Sequence, residues 1–486
     1  MEEGRARAPE GGLVSASRAA GAVTLHNTLG RRSTELVPLE PGHVRMYTCG
    51  PTVYNVVHIG NLRTFLFEDV LRRHLLRKGL RVTQIMNLTD VDDKTIRGAR
   101  EEGLSLTDFT AKYVDAFFRD IRRLNLQAAE GYPRATDHVP EMISMIEKLR
   151  EKGHTYESEG SVYFRISTFP DYGKLSQIDL TQTRRGERVA DDEYEKEDVK
   201  DFALWKGTKS GEPSWPSPFG EGRPGWHIEC SAMSIKYLGR RFDIHTGAVD
   251  NIFPHHENEI AQSEAATGEP FVNIWLHAEH LVVDGEKMSK SKGNFYTLDD
   301  VLARRDDAAA VRYLFLSVPY RRKLNFTWDA LAGAAAAVDR IRSATARLEE
   351  VRKAGVSRPG AFPASERGGK FLAEFTAAMD DDLNTSEALG ALFPYLRDVN
   401  TAIDEGTLDA AGAGSALDAI ASADAVLGVL PAQPEVLPAE IEAQIEARNA
   451  ARKRRDWDEA DRIRTALSSR GIVLEDGPSG TRWKKA

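Results

Sequence analysis

Apolar positions come in short runs early in the chain and in long helical stripes later. Residues 44–49, VRMYTC, form an apolar run stopped by Gly50 and Pro51, the pattern of a short buried strand. From Asn61 to Gly79 the period changes. Leu62, Leu66 and Val70 share one stripe, Phe67, Leu71 and Leu75 lie beside it, and Gly79 is placed to end a helix. LRVTQIMNLTD, residues 80–90, supplies the next strand. Strand, loop, helix, strand is a βαβ unit, which predicts an α/β fold with a parallel sheet and helices on its faces.

Residues 107–130 and 137–153 read as helices, and 154–222 as short strands joined by charged or Gly/Pro-rich loops, an insertion rather than a continuation of the sheet. The α/β pattern resumes with GWHIECSAM (225–233) and FVNIWLHAEHLVVDG (271–285). After about residue 300 strands become scarce. Ala-rich amphipathic segments at 330–354, 366–404 and 413–428 predict a helical bundle, and LPAQPEVLP (430–438) separates a last small unit. The expected organisation is a flexible tail over 1–22 and a Rossmann-like domain over 23–300, with an insertion at about 120–222. A connecting segment over 301–345, the bundle over 346–430 and a terminal domain over 434–486 complete it.

Composition narrows the class. A chain of 486 residues, 41% apolar and 29% charged, has room for several ordinary globular domains. A net charge of −9 excludes a chain that is basic throughout but leaves room for a local basic patch. No apolar run approaches the ~20 residues needed to span a bilayer. The first residues lack the apolar core of a secretory signal and carry Glu2, Glu3 and Glu10, so the expectation is a cytoplasmic protein with no membrane partner. The two cysteines, Cys49 and Cys230, do not make a disulfide framework. They are either two buried thiols acting as small hydrophobes or ligands of one metal.

Three constellations carry chemistry. HIGN, His58 to Asn61, sits where a loop leaves a strand and opens a helix, so free backbone N–H groups and the helix dipole favour phosphate there. His58 can add a hydrogen bond to a phosphoryl oxygen; the bland alternative is a capping histidine. GEKMSKSKGN, Gly285 to Asn294, crowds Lys287, Lys290 and Lys292 into a Gly-bounded loop, fit to neutralise a polyphosphate or to be a solvated basic turn. In FPHHENEIAQSEA, His255 and Glu259 are four apart and project from one helical face. With Cys49 and Cys230 they offer two thiolates, an imidazole and a carboxylate to zinc, although His256 or Glu257 would serve a helix start equally well.

HIGN and KMSKS together resemble the HIGH and KMSKS signatures of class I aminoacyl-tRNA synthetases, with Asn61 in place of the second histidine. CGPTVYNVVHIGNLRTFLFED, NLTDVDDK, GWHIECSAM, DIHTGAVDNIFPHHENEIAQSEA and KMSKSKGN, in this order, resemble the cysteinyl-tRNA synthetase family from about residue 24 onward. The resemblance implies one zinc ion on Cys49, Cys230, His255 and Glu259. It implies catalytic roles for His58, Asn61, Lys287 and Lys290; ATP, with Mg2+, on His58, Gly60, Asn61 and Lys290; and substrate contacts at Gly50, Thr89, Trp226 and Asp250. HTGAVD departs from the Gly-rich loop usual there, because Thr246 and Ala248 add side chains. The implied activity is ATP-dependent, AMP-forming ligation of L-cysteine to tRNA(Cys) by a monomer, with zinc selecting the substrate as thiolate. A cysteine ligase of the same fold acting on an aminosugar, or a non-catalytic RNA-binding relative, are the alternatives.

Residues 448–486 hold eleven Lys or Arg against six Asp or Glu. ARNAARKRRDWDEADRIRTALSSRG predicts two short helices with Trp457 and Ile463 facing in and Arg452 to Arg455 facing out. GTRWKK offers Arg482 and Trp483 for stacking and phosphate neutralisation, and the resemblance implies that this unit binds the anticodon.

Overall fold

The computed structural model describes residues 21–178, 200–289, 292–355, 362–430, 439–469, 472–477 and 480–485. Strand β1 (His43–Thr48) leads through a loop into helix α1 (Ile59–Arg77) and back to β2 (Arg81–Met86). Later in the chain α2 (Trp226–Leu238), β3 (Phe242–Ala248), α3 (Glu257–Thr267) and β4 (Val272–Ala278) follow one another. The four strands form one sheet in the order β4-β3-β1-β2, every pair parallel, with Tyr47 opposite both Ile85 and His245. The chain winds outward from β1 in one direction and from β3 in the other. A crevice therefore opens beyond the carboxyl ends of β1 and β3, the place where open parallel sheets bind ligands.

Both faces of the sheet are covered. On one side α1 packs its predicted stripe, Leu62, Leu66 and Val70, into a core continuous with the C-terminal helices. On the other, α2, α3 and the helix Val139–Glu151 enclose a second core that reaches into the insertion. Because α1 is covered by the sheet and the helical bundle together, it also buries Arg63, Glu68, Asp69, Arg73 and His74. Burying a charge without a partner costs several kcal/mol, so each of these cations is matched. Asp69 accepts from Arg73 Nε at 2.8 Å and from Arg312 at 2.7 Å, and Arg312 also donates to the carbonyls of Leu124, Asn125 and Leu427. The turn at Asn125 has φ +54°. The helix expected over 107–130 ends at Arg123, and the carbonyls of Leu124 and Asn125 just past it are taken by Arg312 and Arg73 instead of continuing the helix.

The insertion is a four-stranded antiparallel sheet, Thr155–Ser158, Ser161–Phe164, Phe202–Gly207 and Gly222–Pro224, in the style expected for 154–222. After β4, strands β5 (Leu281–Val283), β6 (Glu286–Lys287) and β7 (Leu324–Phe326) make a small sheet in the order β6-β5-β7. The bundle consists of Trp328–Ala354, Ala364–Asp380, Thr385–Asp404 and Ala410–Leu427. Two expectations change here. The first of these helices runs unbroken through the 345/346 boundary, and the stretch 366–404 is two helices, split by a turn in which Asp382 and Leu383 take φ of +55° and +54°.

The terminal unit has helices Ala439–Lys453 and Trp457–Ser469 and a hairpin of Ile472–Gly477 with Gly480–Lys485. Ile463 packs on its small core as expected, but Trp457 is 56% exposed. Trp457 opens its helix at the first position, outside the stripe formed by Ile441, Leu467 and Ile472. No described helix is long and apolar enough to cross a membrane.

Candidate active site and metal-ligand cluster

His58 caps α1. Its Nδ1 accepts from the Asn61 backbone N–H at 3.1 Å, while the Asn61 side-chain oxygen accepts from the His58 N–H at 3.2 Å, a reciprocal capping box. An Nδ1 that accepts is unprotonated, so the neutral ring carries its proton on Nε2, for which no described residue supplies an acceptor. Burial lowers the pKa of this histidine, favouring that neutral form. The backbone N–H of residue 61 thus fixes the tautomer of His58, while the Asn61 side chain, where the signature has a second histidine, closes the cap on the His58 backbone.

The two signatures meet. The Ile59 N–H donates to the Tyr296 carbonyl at 3.0 Å, His58 and Thr297 form a β-bridge, and the His58 ring stands edge-on to Phe295 at 5.2 Å. A Cβ on Gly60 would lie 2.8 Å from the Met288 methyl and 2.9 Å from the His58 ring, so glycine is needed where the helix start and the lysine hairpin close on each other. Lys287 lies exposed on β6, opposite Val282. Asn294 ties the loop by accepting from Ser289 N–H at 2.8 Å and donating to the Lys287 carbonyl at 3.3 Å. Lys290 lies outside the described residues.

Cys49 follows directly on β1, and its N–H donates to the Thr246 carbonyl of β3 at 3.2 Å. Cys230 comes from α2, and His255 and Glu259 from the start of α3 and the segment before it. One ligand atom from each of the four lies within 4.8 Å of all the others. His255 and Glu259 do not share a regular helix as expected: Ile252–His256 is a wide turn with Phe253 at extended φ/ψ, and the regular helix begins only at Glu257. Their side chains still meet, Nε2 to Oε1 at 3.0 Å. Glu259 Oε1 is buried and has no aligned hydrogen bond, a polar atom left over for a further partner.

Charge is concentrated in this buried space. Burial pushes the Glu259 carboxyl up, but His245 and His255 outweigh it and hold the group down at about 2. Burial lowers His255, yet Glu259 and Cys230 together raise it to about 10. The Cys230 thiol, hydrogen-bonded by Cys49 and facing His255, is pulled down to about 6, whereas burial and Cys230 push Cys49 up. In this company Cys230, His255 and Glu259 favour their charged forms while Cys49 keeps its proton, and two sulfurs, an imidazole and a carboxylate so gathered are a donor set for a borderline-soft divalent metal. A second set, Cys49, His245, His256 and Glu259, overlaps the first. In that set His245 Nε2 is already bonded to Glu259 Oε2 at 3.1 Å and His256 Nδ1 to His277 at 2.8 Å.

The sequence offers His256 only as a helix start and does not single out His245 or His277 as supports of the cluster. His256 Nε2 lies 3.2 Å from Cys49 Sγ, and His277 continues to Thr28 Oγ1 at 2.7 Å, so a chain of side chains supports the Cys49 end of the cluster. Burial holds His277 down at about 3. Glu257 instead accepts from the N–H groups of Gly173, Leu175 and Ser176, anchoring the insertion. The spacing in FPHHENE picks out His255 with Glu259, which do meet, but does not reveal the partners of His256.

The expected substrate contacts divide. Trp226 is 38% exposed and stacks on His255 at 4.3 Å, making a wall beside the cluster. Gly50 lies against β2's continuation, its N–H donating to Asn87 Oδ1 at 3.0 Å; a Cβ there would sit 1.8 Å from the Asn87 carbonyl oxygen. Thr89 is buried, and its hydroxyl donates to Glu229 at 3.0 Å. Asp250 is exposed, 3.5 Å from His280. Of the two added side chains, Thr246 is buried and donates to Glu68 of α1 at 2.7 Å. In the backbone register of the terminal hairpin, Arg482 stands opposite Glu475 and Trp483 opposite Leu474.

Residues 35–336 match the model of the class I (C) tRNA synthetase catalytic domain, 374–431 the DALR domain and 435–483 the cysteinyl-tRNA ligase anticodon binding domain. A cysteine-tRNA ligase of Solibacter usitatus is 50% identical over 96% of this chain and 100% of its own, and one from Protochlamydia amoebophila is 46% identical over 95% and 97%. The chain belongs to the cysteine-tRNA ligase family. It is an aminoacyl-tRNA ligase of class I. Among solved structures, methionyl-tRNA synthetase of Mycobacterium tuberculosis with methionyl-adenylate superposes with a TM-score of 0.58 at 17% identity, over 80% of this chain and 90% of its own. A LeuRS-tRNA complex from Agrobacterium radiobacter gives 0.60 at 11% identity, over 81% and 85%. At such identities the likeness concerns the fold, which is that of a class I synthetase.

Proposed function

We propose that this enzyme activates L-cysteine with ATP, releasing pyrophosphate, and transfers the cysteinyl group from its adenylate to the terminal ribose of tRNA(Cys). The observation that carries the reading is the convergence of Cys49, Cys230, His255 and Glu259 at the carboxyl end of the sheet, on the loop that also ends in His58. A zinc ion held by these four would supply a Lewis-acidic position that takes the substrate sulfur as thiolate and rejects the hydroxyl of serine, a difference an apolar pocket resolves by only ~1–3 kcal/mol.

The residues of the chain do the rest by positioning and charge. Trp226 closes the side of the cysteine site beside His255. The substrate carboxylate attacks the α-phosphorus of ATP, and the Nε2–H of His58 donates to a phosphoryl oxygen as charge builds there. The exposed ammonium of Lys287, with Lys290, neutralises the departing pyrophosphate, to which a bound Mg2+ would add its charge. Gly60 lets the lysine hairpin close on the helix start, and the backbone N–H of Asn61 keeps His58 in its donor tautomer. Arg482 and Trp483 belong to the anticodon-binding unit in this reading, and the enzyme works in the cytoplasm as a monomer.

The acceptor is the decisive test. Purified protein given radiolabelled cysteine, ATP and either tRNA or an aminosugar is expected to cysteinylate tRNA alone; transfer to the sugar amine would replace this reading by that of a small-molecule ligase.

A further inference from the structure

The turn Arg321-Arg322-Lys323 joins Tyr320 to β7, and all three side chains are exposed. Its backbone is fixed with unusual thoroughness. Arg63, buried in the first turn of α1, donates from one guanidinium to four carbonyls: Glu279 at 2.5 Å, His280 at 3.3 Å, Pro319 at 3.1 Å and Arg322 at 2.6 Å. Tyr320 stacks on Phe67 of α1 at 4.4 Å, and its hydroxyl donates to Asp382. Arg321 also donates to Asp382, at 2.5 Å. Among the described residues, the side chains of Arg322 and Lys323 have neither an ion pair nor a hydrogen bond. Two uncompensated cations are thus held on a rigid platform.

The register says where that platform is. Leu324 is opposite Leu281 on one side of β5, and Lys287 is opposite Val282 on the other. Lys323 therefore flanks His280 on one side, while the chain after Lys287 runs back past β5 on the other, about two strand spacings or ~10 Å away. His280 in turn faces Asp250 at 3.5 Å. The free cations stand beside the mouth of the crevice, next to the lysine hairpin and outside it.

A nucleic acid strand whose end must reach an adenylate in this crevice brings a negative charge with every nucleotide to a protein of net charge −9. We propose that Arg322 and Lys323 form a phosphate-binding ridge for the acceptor strand of tRNA, guiding its 3′ end past His280 to the aminoacyl adenylate. The inference rests on the ligase reading above, because only that reaction requires a polynucleotide at this mouth. Phosphate neutralisation there is independent of sequence and sensitive to salt.

The test uses full-length protein with the double substitution Arg322→Ala/Lys323→Ala and, separately, Arg322→Lys. Cysteine-dependent exchange of pyrophosphate into ATP, without tRNA, is expected to keep its parental kcat and its KM for ATP. The KM for tRNA in aminoacylation is expected to rise on the order of tenfold, and the slope of log(kcat/KM) against log salt to fall by about 1–2, as expected for one or two lost phosphate contacts. Arg322→Lys, which keeps the charge, should stay close to the parent. An unchanged KM for tRNA with normal exchange overturns the ridge alone. A raised KM for ATP in exchange overturns it in favour of a nucleotide-binding role. Absence of exchange in the parent would overturn the ligase reading and the ridge with it.

Discussion

The side chains around the crevice are held by partners that lie far away in sequence, and Glu68 illustrates what that costs. Its carboxyl is fully buried in α1 and accepts from Thr246; burial pushes its pKa up from 4.5 to about 8. The folded protein therefore keeps the proton up to about pH 8, while the unfolded chain releases it near 4.5, so this group's contribution to stability falls by ~1.4 kcal/mol per pH unit across that window. Glu68→Gln removes the titration, and its melting temperature is expected to drop less than the parent's between the two ends of the window; an equal drop would mean that Glu68 is ionised in the folded state. The same scale shows what the sequence could convey. Only two cysteines were available, which made their pairing legible across the long separation of Cys49 and Cys230. His245, His256 and His277 were not legible, because a buried histidine chain has no spacing rule: each partner comes from a different strand or turn.

At the level of elements, α1 is the part on which the site depends. Its first turn carries His58, Gly60, Asn61 and Arg63, and its last turns are locked to the bundle through His74 and Lys78, which bond Asp380 at 2.8 and 2.7 Å. Periodicity revealed the helix and its apolar stripe, but not that charged residues would be buried on the other faces, since that depends on a bundle hundreds of residues later. The same blindness explains the helix that stops at Arg123 and the broken 366–404 segment, where tertiary partners override local propensity: Arg312 and Arg73 hold the carbonyls of Leu124 and Asn125, and Thr24, His26, Tyr320 and Arg321 hold the backbone N–H and carboxylate of Asp382. The close contact between α1 and the lysine hairpin gives a prediction at this scale. Gly60→Ala puts a methyl 2.8 Å from Met288 and 2.9 Å from the capped His58 ring. Met288 can swing aside, but His58 can move only by losing its bond from Asn61. Pyrophosphate exchange is expected to fall ~10- to 100-fold with little change in melting temperature, since misplacement by about an ångström is enough for such losses. Full activity would show that the contact does not position the histidine.

Across the whole molecule, one sheet gathers the chemistry of segments spread over more than two hundred residues: the loop after β1, the start of α2, the turn before α3 and the hairpin after β4. The parallel topology makes this possible, because every strand's carboxyl end opens on the same edge. The order of the motifs and the fold class were therefore readable from the pattern of strands and helices, while the exposed Trp457 and the helix crossing residue 345 were not, since amphipathic stripes do not report which neighbour covers them. The account as a whole depends on the claim that the four-residue cluster selects cysteine before ATP is consumed. The most direct measurement is metal content together with amino-acid-dependent pyrophosphate exchange, for the parent and for Cys230→Ser. The parent is expected to hold one zinc per chain and to exchange with cysteine but not with serine, and the variant to lose both metal and cysteine-dependent exchange. Cysteine-specific exchange that persists in a metal-free variant would contradict the account.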